Sequence, residues 1–176
     1  MTSPSRISSP FSLVPHVTTA LARSADASRA ASVVDALFRF GLAQDRRDDP
    51  GAFELFESAF TEDAVLDFRP AAHRCGIDVP LMEGREMISG IIMNPATRID
   101  TTHVVTNPRV AITGSSAEMT ALVEAQHLPK NDHSRHALLK NLYSVTARES
   151  DGLWRMSRVY IDCVWFTGDP RVITGA

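Results

Sequence analysis

The chain has 176 residues, of which 44% are apolar and 22% charged, with a net charge of −3. These are the proportions of one ordinary globular domain with a single sizeable core. The acidic balance and the scattered Lys and Arg offer no basic patch to nucleic acid, and no apolar run reaches the length of a membrane span.

Two cysteines, Cys75 and Cys163, lie far apart in sequence and show no metal-ligand spacing. A disulfide framework is therefore not expected, and a reducing cytoplasm is the expected compartment. Residues 1–25 carry Pro4, Pro10 and Pro15 among many Ser and Thr. They read as a flexible arm, and the first ten lack the continuous apolar stretch of a secretory signal.

Residues 26–48 predict the first helix, capped by Asp26 or Ser28 and rich in Ala, Leu and Arg. At about 100° per residue, Val34, Phe38, Gly41 and Asp45 fall within about 60° of one another, flanked by Leu37 and Leu42. A carboxylate on that apolar stripe needs a partner, because burying it alone is costly. Asp45 is either a helix-end acid paired with an Arg or a group that faces a pocket. After Pro50-Gly51, residues 52–60 predict a second helix with Phe53, Phe56 and Phe60 as a core stripe. Residues 64–68 predict a short strand.

Residues 69–82 read as irregular. His73, Arg74, Cys75 and Asp78 lie there without any metal-ligand spacing, so a rim loop or lid is expected and no metal. Residues 83–93 predict a third helix, stopped by Asn94-Pro95.

The remainder predicts sheet. Thr101-Thr102-His103-Val104-Val105-Thr106 is a β-branched strand with one histidine, closed by Asn107-Pro108, and strand character resumes at 109–113. Residues 117–127 alternate, with Ala117, Met119, Ala121, Val123, Ala125 and His127 on one face. After a polar loop, residues 136–149 form a further strand with Tyr143, Val145 and Ala147 alternating. Asp151-Gly152 is a hairpin turn. The last strand, 153–166, has Trp154, Met156, Arg158 and Tyr160 on one face. Residues 169–176 read as a short tail.

Helices followed by consecutive long strands make an α+β domain over residues 26–168. About three N-terminal helices cover one face of a curved antiparallel or mixed sheet. Such a half-open cone holds a cavity between helix and sheet.

In this order, the helix with Asp45, Asp63-Ala64-Val65-Leu66-Asp67-Phe68, Glu83-Gly84-Arg85-Glu86, Thr101-Thr102-His103-Val104-Val105-Thr106-Asn107 and Asp151-Gly152-Leu153-Trp154-Arg155-Met156 resemble the SnoaL-like group of the nuclear transport factor two-like superfamily. The resemblance spans about residues 28–168. It implies a cone-shaped α+β barrel with a deep pocket, usually oligomeric. It also implies an activity among dehydratases, dehydrohalogenases, isomerases and polyketide cyclases that use no cofactor.

In the lyase members, an Asp late in the first helix and a His on the strand after the third helix form the catalytic pair. Those positions are Asp45 and His103. Phe40 stands where the family often has Tyr or Lys. An Arg near the penultimate hairpin contributes in some members, which points to Arg148, with Arg158 as the other candidate.

The expected activity is therefore a lyase or isomerase of dehydratase or cyclase type. His103 would abstract a proton from a small, apolar, cyclic substrate, and Asp45 would hold its ring. Alone, His103 reads equally as a core histidine bonded to a backbone carbonyl. His127 is a pocket or a rim residue, depending on which face lines the cavity. Asn141, Tyr143 and Tyr160 are candidates to polarise a carbonyl or hold a leaving group. Two other readings are a binding or assembly module of the same fold, and an epoxide hydrolase built on Asp67, Asp162 and Arg158. The expected assembly is a homo-dimer or homo-trimer.

Overall fold

The computed structural model describes residues 27–175. The predicted N-terminal arm lies outside the described residues. The first helix, α1, spans Ala27–Asp45. It buries Val33, Leu37, Phe40 and Gln44, at i, i+4, i+7 and i+11, whereas Phe38 and Leu42 are exposed at 49% and 52%. The buried stripe is thus rotated from the predicted one, and Asp45 flanks it instead of centring it.

The aromatic cluster explains the rotation. Helix α2 spans Ala52–Ser58, and strand β1 spans Phe60–Asp67. The rings of Phe40, Phe56 and Phe60 meet with centroids 5.4 Å apart in every pairing. Fully burying each ring is worth about 1.5–3 kcal/mol, so Phe40 rather than Phe38 turns inward. Phe53, predicted as core, is exposed at 47%.

Residues 69–75 are helical, not irregular. Helix α3, Arg69–Cys75, accepts Pro70 in its first turn, where no amide hydrogen is needed, and ends on Gly76 in the left-handed region. His73 and Arg74 are exposed on it. Cys75 is buried, and the neighbouring Cys163 thiol together with burial pushes its own thiol up. Strand β2 is Met82–Glu83 and helix α4 is Arg85–Ile92.

Four long strands follow: β3 Ile99–Thr113, β4 Ser116–Pro129, β5 Ala137–Ser150 and β6 Leu153–Gly168. The sheet order is β2-β1-β6-β5-β4-β3. Among the described residues only the β1–β6 pairing is parallel, so the sheet is mixed. The helices pack on its concave face, with Leu37, Phe56, Trp154 and Met156 at most 2% exposed. No helix of the described residues is long and apolar enough to cross a membrane.

Bulges decide which side chains reach that face. Asn107-Pro108 does not close β3; the pair opposes Ala121 as a bulge, with Asn107 at φ 52°, and the strand runs on. In β6, Thr146 pairs with Arg158 and Ala147 with Met156, which leaves Ser157 as an extra residue. One extra residue inverts the phase of everything beyond it. Val159, Ile161 and Cys163 therefore turn into the core, and Arg158 is exposed. On the outer face of β4, Leu122 is 39% exposed.

The predicted tail is structured. Pro170–Thr174 form a 3-10 helix capped by Asp169, and Val172 is fully buried. Gly168 makes this return possible. Its φ is +89°, and a Cβ there would stand 2.0 Å from the carbonyl oxygen of His136.

Candidate active site

The concave face and the helices enclose a cavity of about 360 Å³. Its walls are mostly apolar, with Leu66, Met82, Ile99, Leu139 and Ile161 among them. Met87, Met93 and Met119 do not line it.

Asp45 ends α1 directly over β3. Its Oδ2 accepts the backbone N–H of His103 at 2.8 Å. Its Oδ1 accepts the Thr101 hydroxyl at 2.9 Å and lies 2.6 Å from His103 Nδ1. The His103 side chain is only 4% exposed. An ionised carboxylate can only accept, so this arrangement assigns the ring proton to Nδ1 and leaves Nε2 as the acceptor. Burial pushes the Asp45 carboxyl up. The hydrogen bonds and charge of His103, with the Thr101 hydroxyl, outweigh burial and hold it below the usual carboxylate range.

Gly41 sets how closely α1 approaches β3. A Cβ there would sit 3.0 Å from His103 Cβ and 3.5 Å from Cγ. Replacement by Ala favours the helix by about 0.5–1 kcal/mol but pushes the imidazole off Asp45. We expect Gly41→Ala to slow any reaction that His103 catalyses by on the order of tenfold, with little change in melting temperature. Unaltered kinetics in that variant would show that the ring has slack.

Two further strand residues face the same space. The His127 ring lies 6.1 Å from that of His103, nearly perpendicular, and is 8% exposed. It is a cavity residue, not a rim residue. Burial first, then the neighbouring His103, lowers its pKa to about 3 against the opposing pull of a backbone hydrogen bond with Ala137. It is neutral at pH 7. Its Nδ1 is buried without a partner among the described residues, and so is Oδ1 of Asn141. Such atoms are costly unless something bonds them, and both residues line the cavity. Tyr143 lines it as well, with its phenol pushed up by burial. Phe40 completes that wall, its ring 6.3 Å from that of His103.

Three predicted contacts are elsewhere. Arg148 is exposed and pairs with Asp63 at 3.0 Å. It is an even-numbered residue on β5, so it faces away from Asn141 and Tyr143. Arg158 and Tyr160 are turned off the cavity by the Ser157 bulge. Asp67 and Asp162 do not line it either; Asp67 pairs with Arg69 at 2.8 Å. Among the described residues, no group of three or more His, Cys, Asp or Glu is placed to hold a metal ion.

Several wall residues were missed from the sequence. Gln44 follows from the correct helical phase of α1. Arg47, Thr97, Ile173 and Thr174 come from turns and the C-terminal segment, where no periodicity points inward. Asp78, Val79 and Pro80, from the segment expected to form the rim, also line the space.

A SnoaL-like domain is recognised over residues 25–160. The chain belongs to the SnoaL-like family. It is 34% identical over 149 residues to terrestric acid biosynthesis cluster protein E of Penicillium crustosum, covering 80% of this chain and 86% of that one. Solved structures share the fold at lower identity. A putative aromatic ring hydroxylase of Novosphingobium aromaticivorans matches with TM-score 0.67 and 21% identity over 82% of this chain and 95% of its own. A putative scytalone dehydratase of the same organism matches with TM-score 0.65 and 17% identity, over 86% and 91%. Hexachlorocyclohexane dehydrochlorinase LinA-type3 of Novosphingobium barchaimii matches with TM-score 0.62 and 16% identity, over 89% and 94%. These likenesses show a shared α+β fold.

Proposed function

We propose that this SnoaL-like protein is a cofactor-independent lyase or isomerase that removes a proton from a small, largely apolar, cyclic substrate. The observation that carries the reading is the 2.6 Å contact between Asp45 and His103 on the wall of an apolar cavity. Two fold relatives bear the names of elimination enzymes, a dehydratase and a dehydrochlorinase, which supports the class. The Penicillium relative belongs to a biosynthetic cluster, which supports a small organic substrate.

In this mechanism His103 Nε2 takes a proton from carbon next to an activating group. Asp45 stabilises the imidazolium that forms and keeps the ring from turning. The electron pair left on carbon expels halide from the neighbouring carbon, or a hydroxyl that takes the proton back from the His103 imidazolium and leaves as water, shifts a double bond, or closes a ring. Tyr143 donates its phenol hydrogen to the oxygen that gathers charge. Neutral His127 and Asn141 accept hydrogen bonds from the substrate's own donors, which satisfies two otherwise orphaned atoms. The apolar walls exclude water and strengthen each of these interactions.

The test is proton exchange in deuterium oxide. Cyclic hydroxyketones and halocycloalkanes would be incubated with the protein and followed by NMR for deuterium uptake or elimination. Enzyme-dependent exchange at one carbon is the expected result. No exchange or elimination with any member of the set would count against proton abstraction.

A further inference from the structure

Arg47 is a half-buried cation on the cavity wall, two residues past Asp45. Its guanidinium makes only long contacts with backbone carbonyls. Nε donates to Gln44 O at 3.4 Å, Nη1 to Thr97 O at 3.2 Å and Nη2 to Ile92 O at 3.5 Å. No carboxylate lies within ion-pairing distance of it among the described residues.

A guanidinium has five N–H groups in a rigid fork. Three are held by those carbonyls, so two remain for another acceptor. Burial lowers its pKa, while the charges of Asp48, Asp100 and Asp45 only partly compensate. Its charge is also felt at His127, which lines the same cavity.

The carbonyl contacts tie together the ends of α1 and α4 and the turn before β3, a task that Arg performs at many helix ends. Stapling alone does not require that Arg47 line a cavity of about 360 Å³. The other charged residue on that wall besides the histidines is Asp78, and it is exposed.

We propose that Arg47 is a specificity-determining residue that selects substrates bearing an ionised carboxylate or an equally acidic, ionised enol. The inference rests on the cavity being the substrate site. It goes beyond the proposed reaction by naming the acid group at one end of an otherwise apolar ligand. The planar fork accepts such a group through two parallel hydrogen bonds, which fixes the ligand's orientation as well as its charge. The acid end then lies against Arg47 and the carbon that loses its proton lies against His103. Neutral ligands of the same shape leave the cation unpaired and bind more weakly.

Binding of matched acid and amide pairs tests this without knowledge of the substrate. The probes are benzoate and benzamide, cyclohexanecarboxylate and its amide, and 2-naphthoate and 2-naphthamide, measured by calorimetry near neutral pH. In the wild type at least one acid should bind about tenfold more tightly than its amide, which is about 1.4 kcal/mol. Arg47→Gln should remove that preference and leave the amide affinity unchanged. If Arg47→Gln does not fold, two other measurements serve. Arg47→Lys should keep part of the preference, and raising salt from about 25 mM to about 400 mM should shrink it in the wild type.

The proposal is overturned if no acid outbinds its amide in the wild type, or if the preference survives in Arg47→Gln. It is equally overturned, should that variant not fold, if salt leaves the preference untouched. Failure of the proton-abstraction reading looks different. Deuterium exchange would then be absent while the acid preference stands.

Discussion

Replacing His103 with Ala will lower the rate of proton exchange by about 10²–10⁴-fold, the usual worth of a positioned general base. The fold will survive. Asp45 keeps two of its three hydrogen-bond donors in that variant, the Thr101 hydroxyl and the backbone N–H of residue 103. Asp45→Asn will be as slow but less stable. All three of its bonds at this site are accepted by the carboxylate, and an amide nitrogen must face one of those donors. That mismatch costs about 1–3 kcal/mol. Exchange rates from NMR and melting curves for both variants decide the matter. A His103→Ala protein that retains more than a tenth of wild-type exchange would remove this residue from the mechanism.

The second large effect concerns acid stability. His127 has a folded pKa of about 3, against about 6.5 in an unfolded chain. Between those values the unfolded chain binds the extra proton and the folded one does not. Stability from this group is therefore fully present above about pH 6.5 and is lost as pH falls toward 3. Each unit of difference corresponds to about 1.4 kcal/mol, so at pH 5 on the order of 2 kcal/mol is already gone. His127→Phe keeps a ring in the space and removes the titration. Its stability should be flatter than wild type from pH 6.5 down to about 4. Asp45 acts in a different window. Its carboxyl is depressed in the folded state, so its contribution is intact above about pH 4 and fades only as pH falls further. Parallel melting-temperature profiles for wild type and His127→Phe would show that the buried imidazole is not what acid attacks.

Both experiments bear on the same arrangement: a neutral His127 beside a His103 that Asp45 holds in one tautomer. The first histidine provides an acceptor that is neutral at pH 7, and the second is the proposed base. Their rings are 6.1 Å apart, so a ligand that bonds one lies within reach of the other.

Much of the frame was legible from local pattern. Strand β4 alternates without interruption, so period two alone groups His127 with Ala117 to Ala125 on one face, and the structure turns that face inward. The first helix, the hairpin at Asp151-Gly152 and the order of helices before strands were also legible. Each depends on residues a few positions apart. Asp45 and His103 were singled out by a helical face and by the family resemblance, and the structure brings them to 2.6 Å.

The rest depended on contacts between distant segments. Phe38 and Phe40 both suit a buried helical position, and only the rings of Phe56 and Phe60 select Phe40. Strand phase beyond Ser157 is set by a bulge against Thr146 and Ala147, and nothing in the β6 sequence marks the extra residue. That one residue moved Arg158 and Tyr160 off the cavity. Ile173 and Thr174 reach the cavity because Gly168 lets the chain turn back against His136. The sequence by itself determined which elements form and which face of β4 carries the histidine, because those patterns repeat over a few residues. Tertiary structure decided which arginine lines the cavity, how α1 is rotated and what closes its end. Those choices are made by packing and register across the whole sheet, where one inserted residue inverts every side chain after it.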